Sequence, residues 1–237
     1  MDSLTGRVET ITRSVPKVVS RVITTVGVAL LLSVFTFSIL QPVHADNPVF
    51  SPSKNLSSNP GNANSPMMAT SGNNVYVVWR ENNDIYFKAS TNNGGTFGSP
   101  INLSGNAGTS QAPHIAAVGS NVYVAWQDDT PVNFEIFFKR STNNGTSFSS
   151  PVTNLSSDTL RSGGLLSHLD LAASDSNVYV VWQKDDQSAA NSEISFRRSS
   201  NSGTTFASTV NLSNTSGANS QAPQLAAFGN NTYVVWR

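Results

Sequence analysis

Apolar and polar positions follow a repeated pattern along most of this chain, and its clearest element is a short apolar run. Residues 74–79 read Asn-Val-Tyr-Val-Val-Trp, and close copies occupy residues 121–126, 177–182 and 231–236. Each copy ends in one of the four tryptophans of the protein, and these tryptophans stand 47, 56 and 54 residues apart. Because Val, Tyr and Trp are typical strand residues, each copy predicts a β-strand.

Three further short runs accompany each apolar run and complete a unit. A few apolar residues open the unit, and an acidic–Ile–x–Phe–basic pattern follows the apolar run at residues 84–88, 135–139 and 193–197. Asn-Leu-Ser triplets come next, at residues 102–104, 154–156 and 211–213, and a further triplet at 55–57 precedes the first unit. Gly, Asn and Ser separate the runs, and no run has helical spacing, so each complete unit predicts four strands joined by turns.

Four short strands in a repeat of roughly 50 residues are typical of one blade of a β-propeller. The second strand supports this interpretation because it is apolar on both faces, which suits a sheet packed between two neighbouring sheets. A two-sheet sandwich is the alternative. It would not require the same Tyr and Trp in every unit, and the repeat therefore favours the propeller.

The sequence thus predicts an all-β fold, a β-propeller of four-stranded antiparallel blades with three complete repeats and half of a fourth. The repeats cover residues 66–104, 113–156, 168–213 and 223–237, and residues 46–65 form a linker and a first outer strand. Propellers close with about four to eight blades, and the last predicted strand has no hairpin partner, so we expect an incomplete ring. The chain is then a fragment of a longer protein, or it closes by self-association.

The turn after the third strand of each complete unit carries a motif. Its copies read Ser-Thr-Asn-Asn-Gly-Gly-Thr-Phe, Ser-Thr-Asn-Asn-Gly-Thr-Ser-Phe and Ser-Ser-Asn-Ser-Gly-Thr-Thr-Phe. This motif resembles the Asp box, Ser-x-Asp-x-Gly-x-Thr-Phe, of the BNR repeats in sialidase-like propellers, and the resemblance extends from about residue 55 to the end of the chain. The turn residues that the resemblance assigns are Ser90, Asn92, Gly94, Thr96, Phe97, Ser141, Asn143, Gly145, Ser147, Phe148, Ser199, Asn201, Gly203, Thr205 and Phe206.

The resemblance implies structural turns and assigns no reaction. The Asn side chain accepts nearby backbone N–H groups, the Gly takes a positive φ, and the aromatic residue packs inward. Asn replaces the usual Asp in every copy, which keeps the acceptor and removes the charge that would attract a cation. The family's enzymes also carry an arginine triad, a Tyr/Glu nucleophile pair and a general acid. The inner strands near 66–69, 113–116, 167–170 and 223–226 contain no arginine, so no catalytic residue is assigned and the sequence favours a protein without enzymatic activity.

An uncharged apolar segment, residues 22–40, precedes the repeats and predicts a hydrophobic helix. Its length is close to the roughly 20 residues that span a bilayer, and three basic residues before it favour export of the rest of the chain. Val43 and Ala45 place small residues where signal peptidase requires them. Residues 1–45 are therefore predicted to be a signal peptide or a membrane anchor. In either case we expect the repeats to be extracytoplasmic, secreted or anchored to the cell membrane.

Composition excludes several functional classes. Charged residues make up 12% of the chain, and 14 Lys and Arg balance 14 Asp and Glu. Without a basic patch, nucleic acid is not an expected partner. The protein contains no cysteine. This excludes thiol catalysis and thiolate zinc sites.

Acidic residues concentrate in the loops between the second and third strands, at the opposite end of the blades from the Asp-box turns. These loops vary most in length, as ligand-binding loops do, and their oxygen atoms would suit Ca²⁺ or a glycan. Ordinary solvated turns are the alternative, because no fixed ligand spacing recurs. The link before the third unit adds a candidate Arg161–His168–Asp170 cluster. The candidate residues are Asp84, Asp128, Asp129, Glu135, Arg161, His168, Asp185, Asp186 and Glu193.

The sequence favours a secreted or membrane-anchored propeller that binds an extracellular glycan or protein without catalysis. Two alternatives stay open: part of a sialidase-like glycoside hydrolase whose catalytic residues lie outside this chain, and a structural envelope protein. No cofactor is expected apart from Ca²⁺ at the acidic loops. The membrane is a partner through residues 22–40 if that segment is retained.

Overall fold

A computed structural model describes residues 52–57, 62–130, 134–156, 168–185, 192–215 and 218–237. These residues contain fourteen β-strands and no helix. The apolar segment 22–40, and with it the predicted N-terminal helix, lies outside the described residues. Within the described part of the chain, no helix has the length and apolar character needed to cross a membrane.

The described residues form three four-stranded antiparallel sheets and one two-stranded sheet, each with its strands in chain order. Sheet 1 contains β1 (Asn64–Ser71), β2 (Asn74–Glu81), β3 (Asp84–Ser90) and β4 (Ile101–Asn102). Sheet 2 contains β5 (Ser110–Val118), β6 (Asn121–Asp128), β7 (Glu135–Ser141) and β8 (Thr153–Asn154). Sheet 3 contains β9 (Leu169–Ser174), β10 (Asn177–Asp185), β11 (Ser192–Ser199) and β12 (Val210–Asn211), and sheet 4 contains β13 (Gln224–Phe228) and β14 (Asn231–Val235).

The first strands of sheets 1 and 2 begin earlier than the repeat boundaries at residues 66 and 113 predict. β1 begins at Asn64 and β5 at Ser110, and in both strands the register to the second strand shifts at an irregularity. Ser65 and Ala112, each directly before a proline, have positive φ values of 51° and 47°. Such a bulge accommodates a residue without an N–H, because proline cannot donate to a regular ladder.

The sheets pack face to face, and sheet 2 is buried on both sides. In β6, Val122, Val124 and Trp126 belong to the apolar core shared with sheet 1. Tyr123 and Ala125 belong to the core shared with sheet 3. All five side chains are completely buried. The second strand is therefore apolar on both faces because each face meets another sheet, as the sequence pattern predicts.

Neighbouring sheets meet along their first strands. β1 contacts β5, β5 contacts β9, and β9 contacts β13. Consecutive antiparallel sheets whose first strands adjoin are arranged as the blades of a propeller. The four-stranded antiparallel blade is thus confirmed, whereas the total number of blades stays a prediction.

The predicted Asp-box turns share one set of hydrogen bonds. In sheet 2, the Ser141 hydroxyl donates to Asn143 Oδ1 (2.7 Å) and accepts the Gly145 N–H (3.0 Å). Asn143 Oδ1 also accepts the Ser147 N–H (3.0 Å), and Asn143 Nδ2 donates to the Ser147 hydroxyl (2.9 Å). The turns of sheets 1 and 3 repeat these four bonds. The amide both accepts and donates, so Asn serves this turn in place of Asp.

The same turns join neighbouring sheets. Gly145, in the turn of sheet 2, lies against the ring of Phe87 in β3, and a Cβ added at Gly145 would overlap that ring. Phe148, at the end of the turn, packs edge-on against the same ring with centroids 4.9 Å apart. The turn of sheet 3 makes equivalent contacts with Phe138 of sheet 2. The inward packing of the Asp-box aromatic is therefore a contact with the preceding sheet.

We expect Gly145→Ala to destabilise the protein more than the matched control Gly119→Ala. Both glycines have a positive φ, 77° and 57°, so each substitution strains the backbone by about 1–2 kcal/mol. Only at Gly145 does the added Cβ overlap the Phe87 ring, whereas nothing lies within 4 Å of a Cβ at Gly119. Overpacking adds about 1–3 kcal/mol at Gly145. Urea unfolding measures the difference, and equal losses would contradict the role assigned to this glycine.

Candidate functional site

Polar side chains cross the inner strands in two rows near the end of the sheets that carries the turns after β2, β6 and β10. We call this end the loop end; the Asp-box turns lie at the opposite end. The upper row contains four pairs of residues that face each other across the first and second strands. These pairs are Asn64–Arg80, Gln111–Gln127, His168–Gln183 and Gln221–Arg237. The lower row contains His114, Asp170 and Gln224 on the first strands of sheets 2, 3 and 4, and the apolar Met67 holds the equivalent position on β1.

The lower row contains a His–Asp contact between neighbouring sheets. His114 Nδ1 on β5 lies 3.3 Å from Asp170 Oδ1 on β9. The same oxygen accepts the N–H of Leu171, and Asp170 Oδ2 accepts the N–H of Leu225 on β13, both at 2.8 Å. Asp170 therefore connects the first strands of three sheets through one carboxylate.

The environment of Asp170 favours its charged form. Burial alone would raise the pKa of this carboxyl group. The hydrogen bonds from His114, Leu225 and Leu171, together with the charge of His114, outweigh that effect and hold the pKa of Asp170 below its ordinary value. The carboxylate is therefore ionised at neutral pH.

The expected Arg161–His168–Asp170 cluster takes a different form in the structure. Arg161 lies outside the described residues. Asp170 bonds to His114, and His168 Nδ1 lies 3.3 Å from Gln183 Oε1. The inner-strand sequences align His168 with His114. In the structure, however, His114 pairs with Ala125 of β6, and Asp170 pairs with Val181, the equivalent residue of β10. Asp170 therefore holds the position of His114 in its sheet.

Amide groups dominate the upper row. Gln111 Nε2 donates to Gln127 Oε1 at 3.2 Å, and Gln183 Oε1 accepts the N–H of Ala222 in the link before sheet 4 at 3.3 Å. Gln127 is almost completely buried, and its Nε2 has no hydrogen-bond partner among the residues that the structure describes. Some amides of this row therefore link neighbouring strands, and one buried amide donor, Gln127 Nε2, has no acceptor within the described residues.

A polar pocket of about 440 Å³ adjoins the upper row at sheet 1. Arg80 Nη2 donates to Asn83 Oδ1 at 2.7 Å, whereas its buried Nε has no partner within the described ranges. Asn82 and Asn83 form the two-residue turn between β2 and β3, with φ values of 50° and 70°. Two consecutive positive φ values match the type I′ hairpin, which Asn tolerates. The pocket is lined by Asn62, Asn64, Arg80, Asn82 and Asn83.

Three of the predicted ligand residues hold the outer strands in place. Asp84 accepts the Ser104 hydroxyl and Asn102 Nδ2, both at 2.8 Å. In sheet 2, Glu135 accepts the Ser156 hydroxyl, and in sheet 3 Glu193 accepts that of the corresponding serine. In each sheet the serine hydroxyl also accepts the N–H of the isoleucine that follows the acid. The acid of the third strand and the serine of the Asn-Leu-Ser triplet therefore form a repeated clamp.

Asp128 is a buried acceptor inside the fold. Its carboxylate accepts Asn106 Nδ2 and the Ser110 hydroxyl, both at 2.7 Å, and Trp126 Nε1 at 3.1 Å. The N–H of Thr130 (3.0 Å) and the Thr130 hydroxyl complete its shell. Burial would raise the pKa of Asp128, but the bonds from Thr130, Asn106 and Ser110 outweigh it, so the pKa lies below its ordinary value.

The other predicted ligand residues are bound locally or lie beyond the description. Asp129 accepts the N–H of Thr109. Asp185 ends β10, and Asp186 lies outside the described residues. Within the described ranges, no group of three His, Asp or Glu side chains is placed to hold a metal ion. A Ca²⁺ contact at these loops stays a prediction.

Sequence reasoning misses the His114–Asp170 pair. The two residues are 56 positions apart, and His114 alone has the pattern of an ordinary surface residue. The signal that could find the pair is the distance of each residue from the Asn-Val-Tyr run of its own unit, which is seven residues in both cases. The upper row could be found in the same way, because its second-strand members directly follow the four tryptophans.

Asp128→Asn should lower the free energy of unfolding at pH 7 by about 1–3 kcal/mol. The N–H groups of the Asn amide would face partners that themselves donate hydrogen bonds. The pKa of Asp128 is depressed in the folded state, so its contribution to stability is present above the ordinary carboxyl pKa. The contribution is lost as pH falls through the lower folded pKa. Urea unfolding between pH 7 and pH 3 should therefore show the difference between wild type and variant shrinking in acid.

Asp175→Asn, at an exposed turn residue of sheet 3, is the control and should change little at any pH. A difference between wild type and Asp128→Asn that is constant with pH would contradict the assignment.

A double-mutant cycle with His114→Ala and Asp170→Ala should give a coupling energy of about 1 kcal/mol. Asp170→Ala alone should destabilise more than His114→Ala, because it also leaves the N–H groups of Leu171 and Leu225 without their acceptor. Chemical denaturation of the four proteins gives both quantities. Strict additivity of the two substitutions would show that the pair does not interact in solution.

Comparison with known proteins finds similarity in structure only. No family model matches the sequence, and no curated protein is significantly similar to it. A mutant of the NanB sialidase from Streptococcus pneumoniae is 11% identical over 72% of this chain and 26% of its own, with a TM-score of 0.49. A GH62 α-L-arabinofuranosidase from Coprinopsis cinerea and a family 117 glycoside hydrolase from Zobellia galactanivorans are each 10% identical over 74% of this chain and 66% of their own. Their TM-scores are 0.48 and 0.42.

The chain thus spans from about a quarter to just under two thirds of the length of these proteins. Their reactions and substrates are not transferred to it at such identities. The resemblance of its turns to the Asp box therefore rests on the turn residues of this chain and not on these comparisons.

Proposed function

We propose that this protein is an exported, non-catalytic propeller that binds carbohydrate at its loop end, beside Arg80. The observation that carries the proposal is the polar pocket of about 440 Å³, which Arg80 and four asparagines line. The pocket also lies at the end of the sheets where the sequence predicts ligand-binding loops.

The chemistry of the pocket suits a ligand rich in hydroxyl groups. Each Asn amide offers an acceptor oxygen and two donor hydrogens, and the guanidinium of Arg80 offers donors in a fixed plane. A sugar hydroxyl both donates and accepts, so adjacent amide groups can bond to it in either direction. The volume is within the range of about 300–1,000 Å³ that is typical of small-ligand sites.

The carboxylates at the loop end favour binding over hydrolysis. Glycoside hydrolysis usually requires two carboxyl groups across the scissile bond, one of them able to give up a proton. Asp84 and Glu193 bond to serine hydroxyls of the outer strands, and Asp128 accepts a shell of five donors. Their hydrogen bonds serve the fold. This supports recognition of a sugar without cleavage.

Export is proposed on the sequence of residues 1–45, whose apolar segment follows three basic residues. An extracytoplasmic position would bring the pocket into contact with surface or environmental glycans. N-terminal sequencing of the exported protein separates the two routes, since a chain that begins at Asp46 has lost a signal peptide and a chain that retains residues 22–40 is anchored.

Arg80→Met should weaken carbohydrate binding about tenfold or more, because it removes the charged donors of the pocket and keeps the aliphatic stem. The measurement is a glycan microarray with the wild-type protein, followed by calorimetric titration of the best oligosaccharide into wild type and variant. Arg198→Met is the matched control. Arg198 is exposed in β11 on the Asp-box side of the sheet, and its loss should leave the affinity unchanged.

Equal weakening by both substitutions would place the binding site elsewhere. Absence of binding to any glycan would refute the proposal and favour a protein ligand or a structural role in the envelope. Release of a shortened oligosaccharide during the titration would show that the protein is a hydrolase.

A further inference from the structure

The chain contains two Asn-Gly dipeptides, and both lie in Asp-box turns. Asn93–Gly94 is in the turn of sheet 1 and Asn144–Gly145 is in the turn of sheet 2, whereas the turn of sheet 3 has Ser202 at this position. The asparagine concerned directly follows the one whose side chain shapes the turn. Asn-Gly is the dipeptide most prone to spontaneous loss of the side-chain amide, because glycine has no Cβ to hinder the attack of its nitrogen.

This reaction requires only the chain and water. The glycine nitrogen attacks Cγ of the preceding asparagine, and the amide leaves as ammonia together with the proton of the glycine N–H, so that a cyclic imide forms. Water then opens the imide at either of its carbonyl groups and gives aspartate or isoaspartate. Each event replaces a neutral amide with a carboxylate, and isoaspartate also adds a methylene to the backbone.

The two turns present the same backbone to this reaction. Asn93 and Asn144 each have a φ of 57°, and the glycines that follow have φ values of 79° and 77°. The N–H of each asparagine donates to a carbonyl in the turn between the first and second strands, at 2.8 Å for Asn93 and 2.9 Å for Asn144. The N–H of each glycine donates to the serine hydroxyl of its Asp box at 3.0 Å. Backbone geometry therefore does not distinguish the two sites.

The side chains of the two asparagines differ. Asn144 is partly buried, and its Oδ1 accepts Nδ2 of Asn74 at 3.2 Å and the hydroxyl of Tyr76 at 3.4 Å, both from β2 of the neighbouring sheet. Asn93 is exposed, and its amide makes no hydrogen bond among the described residues. An attack on Cγ of Asn144 requires the amide to leave both donors, whereas the amide of Asn93 has no such bonds to lose.

The two glycines differ in the same sense. Gly145 is buried against the ring of Phe87, and together with Phe148 it forms the joint between sheets 1 and 2. Gly94 is half-buried, and nothing lies within 4 Å of a Cβ added to it. Formation of the imide moves the glycine nitrogen toward the side chain before it. This movement would displace Gly145 from a packed joint, and close packing opposes it there.

We propose that Asn93 is a site of spontaneous deamidation in this protein, and that the packing of sheet 2 on sheet 1 protects Asn144 from the same reaction. The protected turn is the one whose glycine and phenylalanine hold the two sheets together. Isoaspartate at position 144 would lengthen the backbone beside Gly145 and move both joint residues relative to the Phe87 ring. The contacts that make the joint thus also preserve its chemistry.

The test follows both asparagines in one sample of the folded protein kept in mildly alkaline buffer. Tryptic cleavage after Lys139 and Arg140 places them in different peptides. Mass spectrometry gives the rate of amide loss at each residue, and enzymatic methylation of isoaspartate identifies the product. Asn93 should react roughly tenfold faster than Asn144, because two hydrogen bonds must break before Asn144 reacts.

Variants of the two donors locate the protection. Tyr76→Phe removes one hydroxyl and keeps the ring in the core, and Asn74→Ala removes the other donor. Each should accelerate amide loss at Asn144 by roughly two- to tenfold and leave the rate at Asn93 unchanged. Tyr123→Phe is the matched control, because Tyr123 is the equivalent residue of β6, is equally buried and packs toward sheet 3. It should change neither rate.

Protein unfolded in urea supplies the reference, because both asparagines then lie in an identical Thr-Asn-Asn-Gly segment without packing. The two rates should become similar there. A difference that persists in urea overturns the proposal, since it would come from local sequence. The proposal also fails if Asn93 does not react in the folded protein, if Asn144 reacts as fast as Asn93, or if neither Tyr76→Phe nor Asn74→Ala raises the rate at Asn144.

Discussion

The fold depends on a close approach between a glycine and an aromatic ring where sheet 1 meets sheet 2 and where sheet 2 meets sheet 3. Gly145 lies so close to Phe87 that an added Cβ would overlap the ring, and Phe148 packs against the edge of the same ring. The turn that presents both residues is shaped by its own hydrogen bonds, so the joint is formed by a local motif of eight residues. Because each sheet is apolar on both faces, its stability comes largely from its neighbours.

At the loop end, some polar groups form hydrogen bonds within the fold and others stay accessible to a ligand. Among the described residues, Asp84, Asp128, Glu135 and Glu193 are hydrogen-bonded to serines, a threonine or a tryptophan, and they secure the outer strands and links. What remains accessible is a set of amides around Arg80. The proposed pocket would recognise a ligand by hydrogen bonding and shape, and Arg80 is the charged residue in its lining.

Much of the fold could be predicted from the sequence because its information is local and repeated. The strands follow from short apolar runs between turn residues, and burial of β6 on both faces follows from its lack of polar alternation. The candidate site could not be predicted in the same way. The third unit lacks the Ala-Pro of its neighbours, so the inner-strand sequences align His168 with His114. The structure's register places Asp170 there, and in the sequence only the seven-residue distance to the Asn-Val-Tyr run indicates it. Whether a carboxylate serves the fold or a ligand depends on partners about 20 residues away, as with Asp84 and Ser104.

The asparagines of the Asp-box turns also determine how the architecture responds to its surroundings. An amide does not titrate, and its hydrogen bonds are not weakened by salt as those of an ion are. The joints between sheets therefore keep their strength in acidic or saline media. The two carboxylates whose pKa values lie below the ordinary value, Asp128 and Asp170, are near the loop end. Strong acid would act through these two groups on the links between strands, whereas the Asp-box turns would keep their hydrogen bonds.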